Sequence, residues 1–274
     1  MQESSDSTFA GSFKLLREME TSDIGKVFKI IESHEEDDAE EAVAGYQEIG
    51  GVMDQYVLEH EGKVIGVTGY MTPPACDQTH WLSWTYVDED YVNQGHGRKM
   101  LEELISHLKA IGGRKLFVKV SDYVDDEDGA IYAAALHLYQ SMGFKLEITH
   151  KDYYDDGESQ MILGLRLKDK EPGAVSATME DRNVKFNAVY EVAETDDTYS
   201  FGWTDEGEEP LTVEDVKIGL DHVKQNDGRA VFLSFPSNYS GVSETILAAG
   251  FTNAGVLDDY FEDGLHEQHF SYRF

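Results

Sequence analysis

The last 25 residues of this chain repeat a stretch from its middle: GFKLEITHKDYYDDGESQMILGLRL at 143–167 lies over GFTNAGVLDDYFEDGLHEQHFSYRF at 250–274 without a gap. Gly143/Gly250, Phe144/Phe251, Asp152/Asp259, Tyr153/Tyr260, Asp156/Asp263, Gly157/Gly264 and Arg166/Arg273 are identical. Seven matches in 25 positions, centred on an Asp-Tyr-aromatic-acid-Asp-Gly turn, point to an internal duplication. A chain that ends twice in the same β-rich unit is expected to build two related sheets.

The element order fits that expectation. FKLLREM from Phe13 reads as a strand, Thr21 or Ser22 with Asp23 caps a helix to about Ser33, and acidic residues 35–41 lead into a second helix ending near Gly50-Gly51. QYVLEH (55–60) and KVIGVTGYM (63–71) form a hairpin across Glu61-Gly62, and HWLSWTYV (80–87) is a further strand. A helix from His96 follows, with Met100, Leu101, Leu104, Ile105, Leu108 and Ile111 at helical spacing and a stop at Gly112-Gly113. LFVKV (116–120) reads as a buried strand, then come a helix near 130–142 and strands near 144–152 and 160–167. The result is a mixed α/β domain whose middle strands need helical crossovers. Beyond the polar linker at 168–182 the pattern gives strands near 184–193 and 198–204, a helix near 212–225, strand AVFLSF (230–235), a helix near 241–249 and two last strands. The predicted division is a tail at 1–12, an α/β domain at 13–168, a linker at 169–182 and a smaller α/β domain at 183–274.

Charge narrows the function. With 54 Asp+Glu against 22 Lys+Arg the net charge is −32, carried as −17 on residues 1–168 and −15 on 169–274. Nucleic acid and anionic membranes are poor partners for such a surface, because binding phosphates needs clustered cations. Two readings of the acidity stay open: a field that attracts a cationic substrate, and a solvating coat. One cysteine, Cys76, excludes an internal disulfide, the first twenty residues lack a secretory pattern, and no apolar run reaches membrane-helix length, so the expected location is the cytoplasm.

The segment Thr85-Tyr-Val-Asp-Glu-Asp-Tyr-Val-Asn-Gln-Gly-His-Gly-Arg-Lys-Met-Leu101 carries the chemistry. A strand ends, a loop crosses, and Gly95 and Gly97 open an amphipathic helix. Glycines there let successive amides face one point while the helix start adds donors and positive dipole, which suits a diphosphate. Arg98 and Lys99 add cations at that point. A Walker loop would need Lys-Ser/Thr after Gly97, and the dinucleotide pattern would need Gly or Ala where Met100 stands.

A second landmark, Leu138-Tyr139-Gln-Ser-Met-Gly143-Phe144, follows LFVKV. Together, strand, Gln94-Gly-His-Gly97, helix, LFVKV and this helix resemble the GCN5-related N-acetyltransferase (GNAT) superfamily over residues 13–168. The resemblance implies acetyl-CoA as co-substrate and acetyl transfer to an amine acceptor. By position it puts amides of Asn93, Gln94, Gly95, His96, Gly97 and Arg98 on the CoA diphosphate with Lys99 beside them, and the Val87 main chain on the pantetheine arm. Tyr139 becomes the general acid for the thiolate. Tyr132 stands where the family often has Asn, and Val92 where it has Arg or Gln. No carboxylate lies on strand 80–87, so the base is left among His80, a water chain and a carboxylate from the helix region 35–48. Trp81, Trp84 and Tyr86 divide between core and acceptor-pocket wall, because alternate strand residues face opposite ways. A non-catalytic CoA-binding module, and acetylation of a protein N-terminus or lysine, are the alternatives.

His266-Glu-Gln-His269 does not read as a metal site, because strand residues three apart face opposite ways. Acidic residues 122–129 read as a solvated loop. In the second domain Glu208 and Glu209 stand about where the diphosphate loop belongs, and Ile246 where the tyrosine does. That half is expected to have lost the site.

Overall fold

In the computed structural model the described residues are 15–48, 50–124, 129–170 and 176–274. The predicted tail at 1–12, the start of the first predicted strand and parts of the acidic loop and linker lie outside them. Two compact units emerge. The first holds the described residues up to 74 with 78–116 and 166–169; the second holds 75–77, 117–165 and 170–274. The boundaries fall at 74/75, 77/78, 116/117, 165/166 and 169/170, so the second unit takes residues from both sides of the predicted linker.

The first unit contains β1 (Leu16–Glu18), α1 (Ile24–Glu32), α2 (Glu36–Gln47), β2 (Gln55–His60), β3 (Lys63–Met71), β4 (Thr79–Leu82), β5 (Tyr86–Val87) and α3 (His96–Ala110). Strands β1-β2-β3-β4 pair in that order, all antiparallel. The β2–β3 turn is the predicted hairpin, with Glu61 at φ 50° and Gly62 at φ 77°. The predicted strand 80–87 is broken in two. Tyr70 faces Leu82 but Gly66 faces Val87, so one extra residue is inserted between β4 and β5 while both stay on β3. Such a bulge turns the strand and re-aims the residues after it.

Helices α1 and α2 bury Val27, Ile30, Ile31, Ala39, Ala42 and Tyr46 with Val57, Val64 and Val67, and Trp84 and Tyr86 pack against this cluster. Helix α3 buries Met100, Leu101, Leu104, Ile105 and Leu108, as its spacing predicts. Ile111 is 38% exposed because it lies at the helix's C-cap, past the last full turn. Ahead of α1 a short 3-10 turn at Thr21–Asp23 buries the Asp23 carboxylate against Arg17, at 2.6 and 3.0 Å.

The second unit takes most of β6 (Lys115–Ser121), then α4 (Ala133–Ser141), β7 (Lys145–Asp155), β8 (Glu158–Arg166), β9 (Lys185–Glu191), β10 (Thr198–Thr204), α5 (Val213–Gln225), β11 (Ala230–Pro236), α6 (Val242–Ala248), β12 (Thr252–Glu262) and β13 (Leu265–Arg273). Its strands run β6-β8-β7 and β12-β13-β11-β10-β9, with β10 parallel to β11 and the β7–β8 and β12–β13 hairpins antiparallel. The fold is mixed α/β with a second, smaller sheet.

The repeat is visible atom by atom. Asp152 and Asp259 both have positive φ (46° and 54°), and each accepts the amide of the glycine five residues on, Gly157 at 3.0 Å and Gly264 at 2.9 Å. The likeness extends upstream of the matched sequence. Arg114 donates to Thr79 at 2.7 Å as Arg229 does to Thr198 at 3.1 Å, and their amides bond Gln78 O and Asp197 O, both at 2.7 Å. Within the second unit the copies exchange contacts. Tyr260 packs on Phe117 at 5.6 Å and Tyr153 on Phe232 at 5.0 Å, while Asp77 N bonds Phe261 O and Asp196 N bonds Tyr154 O, at 2.6 and 2.7 Å. Reciprocal contacts of this kind are the mark of a local two-fold relation. Gly255 lies at its close approach: φ is 142°, and a Cβ there would come 2.8 Å from Ile148.

Candidate active site

The loop before α3 is shaped by short local bonds. Asp88 caps a single 3-10 turn at Glu89–Tyr91 by accepting the Asp90 amide at 3.1 Å, and the Gln94 side chain returns to Asp90 O at 3.1 Å. Asn93 (φ 59°) and Gly95 (φ 81°) then swing the chain into the helix. The first helical hydrogen bond runs from Lys99 N to Gly95 O at 3.2 Å, so the amides of His96, Gly97 and Arg98 stand ahead of the ladder. Gly95 is the N-cap and has no side chain with which to cap them. Donors and dipole therefore converge on one outward point, with Arg98 and Lys99 exposed beside it.

From below, the hairpin β2–β3 props the loop. His96 packs on His60 at 5.3 Å and on Tyr91 at 6.2 Å, and Lys63 lies 4.9 Å over the Tyr91 ring and 3.4 Å from Asp88. Desolvation, with His60 and Lys99 nearby, lowers the His96 pKa, so the imidazole stays neutral near pH 7.

Val87 occupies β5, at the far side of the bulge. Asp88 N bonds Ile65 O at 2.9 Å, which puts Val87 at the alternate position whose N–H and C=O turn away from β3. His34 Nε2 donates to that carbonyl at 2.7 Å. Next to it, the Tyr86 hydroxyl donates to Asp38 of α2, and its ring lies 5.5 Å from His34. Burial, the largest cause, raises the Asp38 pKa, Asp37 adds to the rise and the Tyr86 hydrogen bond opposes it. Neither His34 nor Asp38 was singled out from sequence. Both sit about fifty residues upstream in an acidic stretch that carries no motif.

His80 is not at a surface. It is 2% exposed, its Nδ1 meets Thr72 Oγ1 at 2.8 Å, the Tyr70 ring stands edge-on at 5.0 Å, and Nε2 has no hydrogen-bond partner among the described residues. Desolvation lowers its pKa. The ring is neutral, as a base must be, but walled off from any amine, so its position argues for packing.

Tyr139 is buried on α4, 7% exposed, with its ring 5.5 Å from Phe144. Its carbonyl receives the amides of Met142 and Phe144, which ties the helix end to the Gly143-Phe144 turn. Burial pushes its pKa up to about 12. Tyr132 is the N-cap of α4, half-buried and without a side-chain cap bond. Val87, His80 and the 93–99 loop belong to the first unit, Tyr132 and Tyr139 to the second.

The second copy is built differently at this point. Thr212 caps α5 in a reciprocal box with Asp215, 3.2 Å from Thr212 Oγ1 to Asp215 N and 2.9 Å from Thr212 N to Asp215 Oδ2. A carboxylate thus fills the helix start that α3 leaves uncapped. Ile246, wholly buried, takes the tyrosine's place, and its carbonyl receives the Phe251 amide just as Tyr139 receives that of Phe144. His266 and His269 go to separate partners: His266 Nδ1 accepts the Asp259 amide at 2.8 Å, and His269 meets Glu267 at 2.9 Å.

A strand, an uncapped glycine turn and an amphipathic helix stand here in this order, and comparison with known proteins supplies a match for the segment that holds them. Residues 54–146 match the family model described as "Acetyltransferase (GNAT) domain", so the chain carries a GNAT domain in that segment. It is 37% identical over 84 residues to the [ribosomal protein bS18]-alanine N-acetyltransferase of Escherichia coli (strain K12), covering 30% of this chain and 51% of that protein. It is 32% identical over 93 residues to the spermine/spermidine N(1)-acetyltransferase of Bacillus subtilis (strain 168), covering 32% and 57%. The chain thus spans about half the length of the curated relatives it matches. A crystal structure of the ribosomal-protein-S18-alanine N-acetyltransferase from Escherichia coli aligns with 58% of this chain and 96% of its own, at 25% identity and a TM-score of 0.45. Among the described residues no helix is long and apolar enough to cross a membrane.

Proposed function

We propose that this chain is an N-acetyltransferase that moves the acetyl group of acetyl-CoA to a primary amine by direct attack. The observation that carries the reading is the αL glycine at the start of α3, which leaves the helix uncapped while α5 in the second copy caps itself. Asn93 to Arg98 hold the diphosphate through their amides, Arg98 and Lys99 supply charge, and the outward main chain of Val87 holds the pantetheine arm. Since His34 occupies the Val87 carbonyl, the arm uses the N–H or displaces the histidine.

Tyr139 is the general acid of this scheme. With a pKa near 12 it keeps its proton across neutral pH. The thiolate takes that proton as the C–S bond breaks, and the second proton of the newly acylated nitrogen restores the phenol. The acidic surface favours a cationic acceptor. One curated relative is named for the alanine of a ribosomal protein and the other for spermine and spermidine, which supports an amine as the shared class. We place the reaction in the cytoplasm, and assign residues 183–274 to a degenerate GNAT-like half without a coenzyme site.

The test is acetyl-CoA-dependent thiol release over a panel of polyamines, amino sugars, lysine and peptide N-termini, repeated with Tyr139→Phe. Turnover with at least one amine and a loss of ~10²-fold or more in kcat for the variant are expected. Full activity in the variant removes the general-acid role. The buried His80 and the carboxylate-free strand favour a second reading, a CoA-binding module without catalysis; coenzyme binding with no turnover on any amine would establish it.

A further inference from the structure

The proposed reaction needs a group that takes a proton from the ammonium; strand 80–87 carries no carboxylate, and its one histidine, His80, is buried at 2% exposure. Four observations converge on α2. Asp38 is the α2 carboxylate that receives the Tyr86 hydroxyl. Tyr86 directly precedes Val87, so the carboxylate sits at the tip of the side chain next to the pantetheine position of the proposed site, on the α1–α2 side of the strand. Asp38 is half-buried, not enclosed, and its Oδ1 has no hydrogen-bond partner among the described residues. His34, four residues earlier, bonds the Val87 carbonyl and fixes the α1–α2 junction over the same strand.

We propose that Asp38 is the general base, its Oδ1 facing the acceptor amine and its Oδ2 anchored by Tyr86. This rests on the acetyltransferase reading. The ammonium gives one proton to Asp38, and the freed lone pair forms the C–N bond at the thioester carbonyl. The C–S bond then breaks, and the sulfur takes the Tyr139 proton, which the second proton on the acylated nitrogen replaces. Asp38 returns its proton to water, so ammonium and acetyl-CoA give the N-acetyl amine, CoA thiol and one proton. The raised Asp38 pKa supports the role, since a base titrating closer to neutrality accepts a proton with less penalty than an ordinary carboxylate. The ionisable groups around it are Asp37 and Glu41 on its own helix, His34 at the end of α1 and Tyr86 on β5.

The experiment compares the full chain with Asp38→Asn, Tyr86→Phe and the neighbouring control Asp37→Asn, using acetyl-CoA titration calorimetry and thiol release from pH 5 to 9 with the best amine. Expected are an acetyl-CoA Kd unchanged within about twofold in all, a kcat loss of ~10²-fold or more for Asp38→Asn only, and loss of the acid limb of kcat/KM in that variant. Tyr86→Phe should lower kcat less than Asp38→Asn does and shift the limb to higher pH, because the hydroxyl that anchors and favours the carboxylate is gone. Asp38→Asn with wild-type kcat and an unchanged profile overturns the assignment while leaving the acetyltransferase reading intact. A wild-type chain that turns over no amine overturns that reading first, and Asp38 with it.

Discussion

Asp23 shows how much one buried carboxylate can contribute at the residue scale. Its hydrogen bonds from Arg17 hold its pKa down at about 2, below the ordinary 3.8. A depressed carboxylate stabilises the fold above its unfolded value and loses that contribution as pH falls from near 4 through 2. Asp23→Asn should therefore cost on the order of 2 kcal/mol at pH 7 and almost nothing at pH 2, read from urea melts at both. His150 acts in the same direction over a higher window. It is 3% exposed, 5.0 Å from His269, and burial above all brings its pKa down to about 3. The unfolded ring takes up a proton below about 6.5, so stability falls as pH drops from 6.5 toward 3. Leu257 occupies the matching place in the second copy and is fully buried. His150→Leu should flatten that slope by up to one proton; an unchanged slope would move the acid sensitivity elsewhere. Local spacing marks Gly95, Gly97 and Tyr139 as candidates in the sequence. Asp38 is reached from sequence only as one of several carboxylates in the helix region 35–48 and His34 not at all, because both meet β5 from a helix junction distant in sequence and carry no pattern of their own.

The two matching helices differ at their first turn, and that contrast belongs to the element scale. Gly95 sits at φ 81°, where a side chain is strained although the space around it is open. Gly95→Val should cost roughly 1–3 kcal/mol of stability and weaken acetyl-CoA binding at least tenfold by calorimetry. Thr212→Ala removes the cap of α5, should cost about 1 kcal/mol and should leave acetyl-CoA binding as it was. Equal effects of both on binding would deny α3 its special role. Periodicity found both helices to within a residue or two, since apolar spacing is a local property. The break of strand 80–87 into β4 and β5 was missed because a one-residue insertion depends on pairing with β3, and nothing in HWLSWTYV marks it.

For the whole molecule, duplication explains why hairpins 107 residues apart share turns, arginine anchors and reciprocal aromatic pairs. Seven identities were enough to see the repeat. Its packing was not legible, because the residues that exchange contacts, Phe117 with Tyr260 and Phe232 with Tyr153, lie on different copies. The two helix starts differ: one copy leaves its first turn uncapped at Gly95, and the other closes it with Asp215. The most direct measurement is a crystal structure of the full chain grown with acetyl-CoA. The account predicts diphosphate oxygens at ~2.7–3.2 Å from amides between Asn93 and Arg98, and no coenzyme at the start of α5. A diphosphate held at Thr212, or anywhere other than the α3 turn, would contradict it.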